Sequence, residues 1–332
     1  MDTKYILVAD PHLGLWSSSD VWHNVAIKLF QSVADTCIRH SISKIIILGD
    51  FFDERKFLNI KTLAAAMRIS TVLKDFDIFL IIGNHDTFFR DRVLPTSLEI
   101  FREHDNIIIV DQPRELDDML LVPWRIKPNP AWAKYKIVLG HFEINGFPAN
   151  DYYIFKSNNS LNPADFNNCN WIISGHFHSP SRKDNIRYIG SPYQMSFGDT
   201  TGQRGFFILD DLQLEMIEFK DAPKFVKISS NDKITEDMIK GNIVKLIYSK
   251  DYGKIQNNKI LESVQFFKPL QLHTDFARIS NDMVKERSDE NIQLKNNREI
   301  LYEFVDRSKL PSHIKKNTLM NVIEKLLREE ED

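Results

Sequence analysis

KIIILGDFFDER, running from Lys44 to Arg55, decides how the chain is read. Its first half is an unbroken aliphatic run, Ile45 to Leu48. Such a run is typical of a strand buried on both faces of a mostly parallel sheet. It stops at Gly49-Asp50, so the Asp50 carboxylate projects from the C-terminal end of the strand. In open α/β sheets, ligands sit at that end.

The same junction recurs along the chain. Tyr5 to Ala9 runs into Asp10 and His12, and Ile78 to Ile82 into Gly83-Asn84-His85-Asp86. Lys136 to Leu139 runs into Gly140-His141, and Trp171 to Ser174 into Gly175-His176-Phe177-His178. Taken alone, an Asp-x-His after a strand is a turn or a helix cap, and a Gly-His pair is structural. Gly-His-x-His carries more weight, because residues i and i+2 of an extended segment face the same side. Together the strand ends define a site.

Composition bounds the reading without deciding it. The chain has 332 residues, 42% hydrophobic and 27% charged, with a net charge of −3. That length suits about two domains. Without a basic excess, a nucleic-acid partner must be met by a local patch or through metal ions. Cys37 and Cys169 lack metal-ligand spacing and read as buried small apolar residues. The N-terminus lacks the pattern of a signal peptide, and no apolar run approaches a membrane span. We therefore expect a cytoplasmic protein without membrane contact.

The residue types at the strand ends suit one chemistry. Hydrolysis of a phosphate ester by two metals requires oxygen and imidazole ligands, one carboxylate placed to bridge, and open positions for water and substrate. Asp10, His12, Asp50, Asn84, His141, His176 and His178 supply that mix, which favours Mn²⁺, Fe or Zn over metals sought by thiolates. His85 cannot easily point at the same metals as its neighbour Asn84. It is the candidate to protonate the leaving oxygen.

These blocks resemble the signature motifs of calcineurin-like metallophosphoesterases: Asp10-Pro11-His12, Gly49-Asp50-Phe51-Phe52-Asp53, Gly83 to Asp86, Gly140-His141 and Gly175 to His178. Within that superfamily the chain resembles the SbcD-type double-strand-break repair nucleases, including the recombination endonuclease subunits of large tailed phages. Leu121 to Trp124, Gly140 to Phe147, Arg187 to Pro192 and Arg204 to Asp210 extend the likeness over roughly residues 4–220. The resemblance implies a layered α/β sandwich, two central sheets flanked by helices. It assigns one metal to Asp10, His12, Asp50 and His178 and the other to Asp50, Asn84, His141 and His176. His85 would be the catalytic histidine. The two divalent ions would be Mn²⁺ first, with Mg²⁺, Fe or Zn as alternatives. Some nuclease relatives carry histidine where this chain has Asp53, so Asp53 either orients His85 or caps a helix.

The expected organisation is a nuclease domain over 1–221, a small α+β capping domain over 222–276, a polar linker over 277–297 and a helical pair over 298–332. Leu63, Ala64, Met67 and Val72 are expected to face inward from a helix near Lys61–Lys74, and the stretch 264–272 reads as strand-like. The polar loop 142–170 is long enough to be functional. The expected function is that of a metal-dependent DNA exo/endonuclease subunit in an ATP-regulated recombination or repair complex. Its partners would be DNA, a second copy of itself through the early helices, and an SbcC-like ABC-type ATPase with a coiled coil. The last would be gripped by the apolar stripes of the C-terminal helices. If phage-encoded, it would work in the host cytoplasm. The rival readings are a phosphatase or cyclic-nucleotide phosphodiesterase, and a non-catalytic scaffold of the same fold.

Overall fold

The computed structural model describes residues 4–249 and 253–276. The expected linker and C-terminal helical pair lie outside the described residues. Four parallel strands lie side by side in one sheet: β1 (Lys4–Val8), β2 (Lys44–Ile47), β3 (Asp77–Ile81) and β4 (Ile107–Val110). A second sheet uses β5 (Arg114–Leu116), β6 (Met119–Val122) and β7 (Ile137–His141). After the short hairpin β8 (Pro148–Asn150) and β9 (Tyr153–Ile154), it gains β10 (Trp171–Gly175), β11 (Ser181–Lys183) and β12 (Ile186–Tyr188). β13 (Gly205–Asp210) and β14 (Gln213–Glu218) form a hairpin that returns to the first sheet beside β1. The sheet orders are β14-β13-β1-β2-β3-β4 and β11-β12-β10-β7-β6-β5.

The unbroken apolar runs follow from burial on both faces. In β2, Ile45 and Ile47 point to the helical side while Ile46 and Leu48 point between the sheets. β1 divides the same way, with Ile6 and Val8 outward and Tyr5, Leu7 and Ala9 inward. β7 and β10 add Leu139 and Ile173 to the layer between the sheets. Period-two alternation therefore remains, but both sets are apolar because neither face meets water.

The helix Asp20–His40 covers the outer face of the first sheet with Val25, Leu29, Phe30 and Val33. Helix Ile60–Val72 packs beside it, its first turn capped by the Asn59 side chain. Here the face differs from the sequence expectation. Leu63, Ala64 and Met67 face solvent, while Thr62, Ala65, Ala66 and Ile69 face the core. The reason is polar as well as steric. Thr62 donates to Ser18 and sits 3.0 Å from His23 Nε2, and small residues let the two helices approach closely.

The outer face of the second sheet is covered by the 142–170 loop and short 3₁₀ turns rather than by long helices. Phe142, Ile144, Phe147 and Phe166 bury themselves against Ile172 and Tyr188. A parallel sheet of β15 (Phe225–Ser229), β16 (Ile243–Tyr248) and β17 (Gln271–Phe276) follows, with helix Lys254–Phe266 as the crossover between the last two. Val264 is thus helical, which corrects the strand-like reading of 264–272. Phe225 and Ile243 join the core under the first sheet's helices.

Ile46 is fully buried between the sheets, whereas Ile38 is 71% exposed. Ile46→Ala should lower unfolding free energy by about 2–5 kcal/mol. Ile38→Ala should change it by less than about 0.5 kcal/mol. Urea unfolding of both variants checks the contrast. Similar losses at the two positions would contradict the placement of the core.

Candidate active site

The ends of β1, β2, β3, β7 and β10 deliver their polar residues to one place. The backbone there leaves the extended conformation sharply. Asp10 (φ 50°), His12 (φ 43°), Asp50 (φ 51°) and His176 (φ 91°) all occupy positive φ, uncommon for residues with a side chain. Cross-links hold the turns. The His12 amide donates to the Asp50 carbonyl at 3.1 Å, and the His85 amide to Asp50 Oδ1 at 2.7 Å. The His176 amide donates to the Asp10 carboxylate at 2.8 Å. Glycine is required where these turns touch. A Cβ on Gly83 would fall 2.3 Å from the Asp50 amide, and one on Gly175 would fall 2.4 Å from the Leu48 carbonyl.

Four of the imidazoles have an outward partner on one ring nitrogen. His141 Nδ1 donates to the Leu48 carbonyl at 2.8 Å, and His85 Nδ1 to the Asp53 carbonyl at 2.6 Å. His12 Nδ1 lies 3.0 Å from Asp53 Oδ1, and His176 Nε2 lies 3.3 Å from Glu143 Oε2. The remaining nitrogen of each of these rings turns inward, where the neutral ring presents a lone pair. His141 Nε2 and His176 Nδ1 approach to 3.3 Å, and both lie within 3 Å of Asn84 Oδ1. His12 Nε2 comes to 3.2 Å from His178 Nε2. Asp50 Oδ2 lies 3.3 Å from His141 Nε2 and 3.7 Å from His12 Nε2.

With the rings neutral, these inward nitrogens and Asp50 Oδ2 are all acceptors and together offer ligands to a divalent cation. Two groups of donor atoms, Asp50 with His141 and His176 and Asp50 with His12 and His85, each fall within 4.8 Å of one another. Asp50 belongs to both, as a bridging carboxylate must. Neutral imidazole, carboxylate and amide oxygen together suit a divalent ion of intermediate softness. The sequence-derived residues Asp10, His12, Asp50, Asn84, His85, His141, His176 and His178 are therefore all brought together. Asp53 joins them differently than expected: its side chain faces His12, and its backbone carbonyl, not its carboxylate, holds His85.

Sequence reasoning passed over an outer ring of acids. Glu143 faces His176, and Asp199 Oδ2 lies 4.0 Å from His178 Nδ1. Asp86 accepts from the amides of Phe51, Phe52 and Gly83. Burial, then the nearby Asp50 charge, raises the Asp86 carboxyl to about 6. For Glu143 a signal existed: it stands two residues beyond His141, on the same side of an extended segment. Asp199 comes from a distant loop and left none.

Burial disfavours charge on both His141 and Asp50, yet their mutual attraction wins. Asp50 is held well below the usual carboxylate range, and His141 is pushed up to about 9. A histidine raised in this way keeps its extra proton below the unfolded value of 6.5 and loses it as pH rises through about 9. A cation entering beside it must displace that proton. Affinity for Mn²⁺ should therefore rise with pH until about 9, with roughly one proton released per chain from His141 well below that value. Calorimetry in buffers of different ionisation enthalpy measures this. No proton release would mean that His141 does not face the ion.

The comparisons with known proteins follow this geometry. The chain is 30% identical over 232 residues to Exonuclease subunit 1 of Enterobacteria phage T4, covering 65% of this chain and 67% of that protein. A crystal structure of Pseudomonas putida nuclease MPE aligns at 18% identity with a TM-score of 0.32, over 64% of this chain and 87% of that one. That likeness is too slight to build on. Residues 3–180 match the family described as Calcineurin-like phosphoesterase. The chain belongs to the calcineurin-like phosphoesterases, a family of metal-dependent hydrolases, and the converging strand ends are the part of it that the match spans.

Proposed function

We propose that the chain is the nuclease subunit of an ATP-regulated DNA recombination or repair complex, hydrolysing phosphodiester bonds of DNA. The observation that carries this is the Asp50 carboxylate set between His12 on one side and His141 with His176 on the other. Similarity to an exonuclease subunit supports DNA as the substrate. Asp10, His12, Asp50 and His178 would hold one divalent ion and Asp50, Asn84, His141 and His176 the other, Mn²⁺ being our first choice. Bound there, the ions would supply Lewis-acid polarisation of the phosphoryl oxygens and an activated water.

The chain's own residues do the rest. Asp50 is fixed by the His85 amide on one oxygen and turns the other toward both groups. His85 is anchored through Nδ1, leaving Nε2 to pass a proton to the departing deoxyribose oxygen. Asp53 positions both histidines, His12 through its carboxylate and His85 through its carbonyl. The exposed apolar side chains Phe57, Ile60, Leu63 and Met67 support self-association through the early helices. Residues 222–276 would cap the site, and the helical pair at 298–332, tethered by 277–297, would dock an SbcC-like ATPase. No helix among the described residues is long and apolar enough to cross a membrane. We place the work in the cytoplasm, where DNA and ATP are both available.

Purified protein with Mn²⁺ should cleave duplex DNA and outpace its hydrolysis of p-nitrophenyl phosphate. Preference for the monoester would make it a phosphatase, and inertness toward both would make it a scaffold. Asp50→Asn should abolish turnover, because it removes the charge common to both groups. His85→Gln should slow turnover by about 10²-fold or more while keeping the metal. Loss of metal from that variant, read by elemental analysis, would make His85 a ligand. A chain truncated after Phe276 should keep nuclease activity and lose ATPase binding. Continued co-purification with the ATPase would place the docking surface elsewhere.

A further inference from the structure

A cleft opens directly off the candidate active site beside His141. It is an open cleft, continuous with solvent. Ile126, Phe142 and Leu161 give it an apolar lining, and Asn159 brings an amide. Arg125 and Lys127 bring positive charge at the rim opposite the Glu143 carboxylate, which is turned to His176. Trp124 forms the shared wall. Its ring stacks on His176 at 5.3 Å and meets His141 edge-on at 5.8 Å.

Arg125 is built into this wall at a conformational cost. It is exposed, yet its backbone sits at φ 72°, a left-handed conformation that side-chain-bearing residues rarely adopt. Its Nε donates to the Arg90 carbonyl at 2.8 Å, and its guanidinium lies 5.4 Å from the Trp124 ring. Arg55 stands near enough that Arg90 and Arg125, after burial, lower its pKa. Among the described residues, no ion pair joins Arg55, Arg90, Arg125 or Lys127 to a carboxylate. In a chain of net charge −3, such a gathering of unpaired cations beside a hydrolytic centre is suited to a polyanion.

Resting on the nuclease reading above, we propose that this cleft receives the base of one nucleotide adjoining the scissile phosphodiester, with Arg125 and Lys127 holding its outer phosphate. The apolar lining suits the faces of a base, and the Asn159 amide can meet its hydrogen-bonding edge. A base stacked within a duplex cannot enter, so the nucleotide beside the cut is unstacked when cleavage occurs.

The test uses the full chain with Mn²⁺ and oligonucleotides carrying a single abasic residue, stepped through the positions around the cleaved bond. One position adjoining the bond should lower kcat/KM by about tenfold, and the others should have little effect. Filling the cleft by Asn159→Trp should erase the difference between that position and its neighbours. Arg125→Ala should lower the ratio of oligonucleotide to bis(p-nitrophenyl) phosphate turnover by about tenfold. A flat abasic profile on DNA that is cleaved, or an unchanged ratio in Arg125→Ala, overturns the cleft's role and leaves the nuclease reading standing. Hydrolysis of the ester without any cleavage of DNA overturns both.

Discussion

A carboxylate only 2% exposed, set among the rings of His141, His12 and His85, is what the rest of the structure has to accommodate. Removing a charge from water costs several kcal/mol unless partners replace the lost hydration. Asp50 finds them in one backbone amide and in imidazoles drawn from both sheets. His12 and His85 follow strands of the first sheet, while His141 and His176 end strands of the second. The layer of Leu7, Ile46, Leu139 and Ile173 between the sheets therefore does more than stabilise the fold. It sets the separation at which the two halves of the centre meet around one carboxylate.

Rigidity is obtained from the outside inward. A histidine ring rotates easily, and its lone pair is useful only when aimed. Leu48, Asp53 and Glu143 each hold the far nitrogen of a ring, so the near nitrogen points to the centre. The backbone contributes in the same sense. Four residues at positive φ cost about 1–3 kcal/mol each, and they persist because the surrounding core over-determines them. Arg204 shows how far this support extends: it is 6% exposed and donates to the His178 carbonyl and the Ser191 hydroxyl.

The fold and the inner residues were legible because each follows a local rule. Strands buried on both faces leave unbroken aliphatic runs, and ligands at strand ends leave Asp, Asn or His just after them. On the helix at 60–72 hydrophobicity alone favours Leu63 and Met67 as the inner face, yet both are exposed. What decided its orientation was a hydroxyl contact from Thr62 to Ser18, which no periodicity encodes. Val264 was misread because a short apolar run fits helix and strand equally. The Asp53–His85 pairing is legible in sequence, but not that the carbonyl makes it while the carboxylate serves His12. Asp199 reaches His178 only through tertiary folding, so nothing near it in sequence could announce it.

The distribution of charge gives the centre a further property. Asp10, Asp50, Asp53, Asp86, Glu143 and Asp199 surround or line it. Taken as protein alone, this is an unwelcoming place for a phosphodiester, itself an anion. At physiological ionic strength charges are screened over about 8 Å, so distant lysines cannot compensate. Divalent cations reverse the local sign, and the arginines at 55, 90 and 125 extend that reversal outward from the Trp124 wall. Substrate binding and bond cleavage therefore share one requirement. Ions held there would supply both the catalyst and the positive charge nearest the reacting phosphate, with the arginines acting farther out.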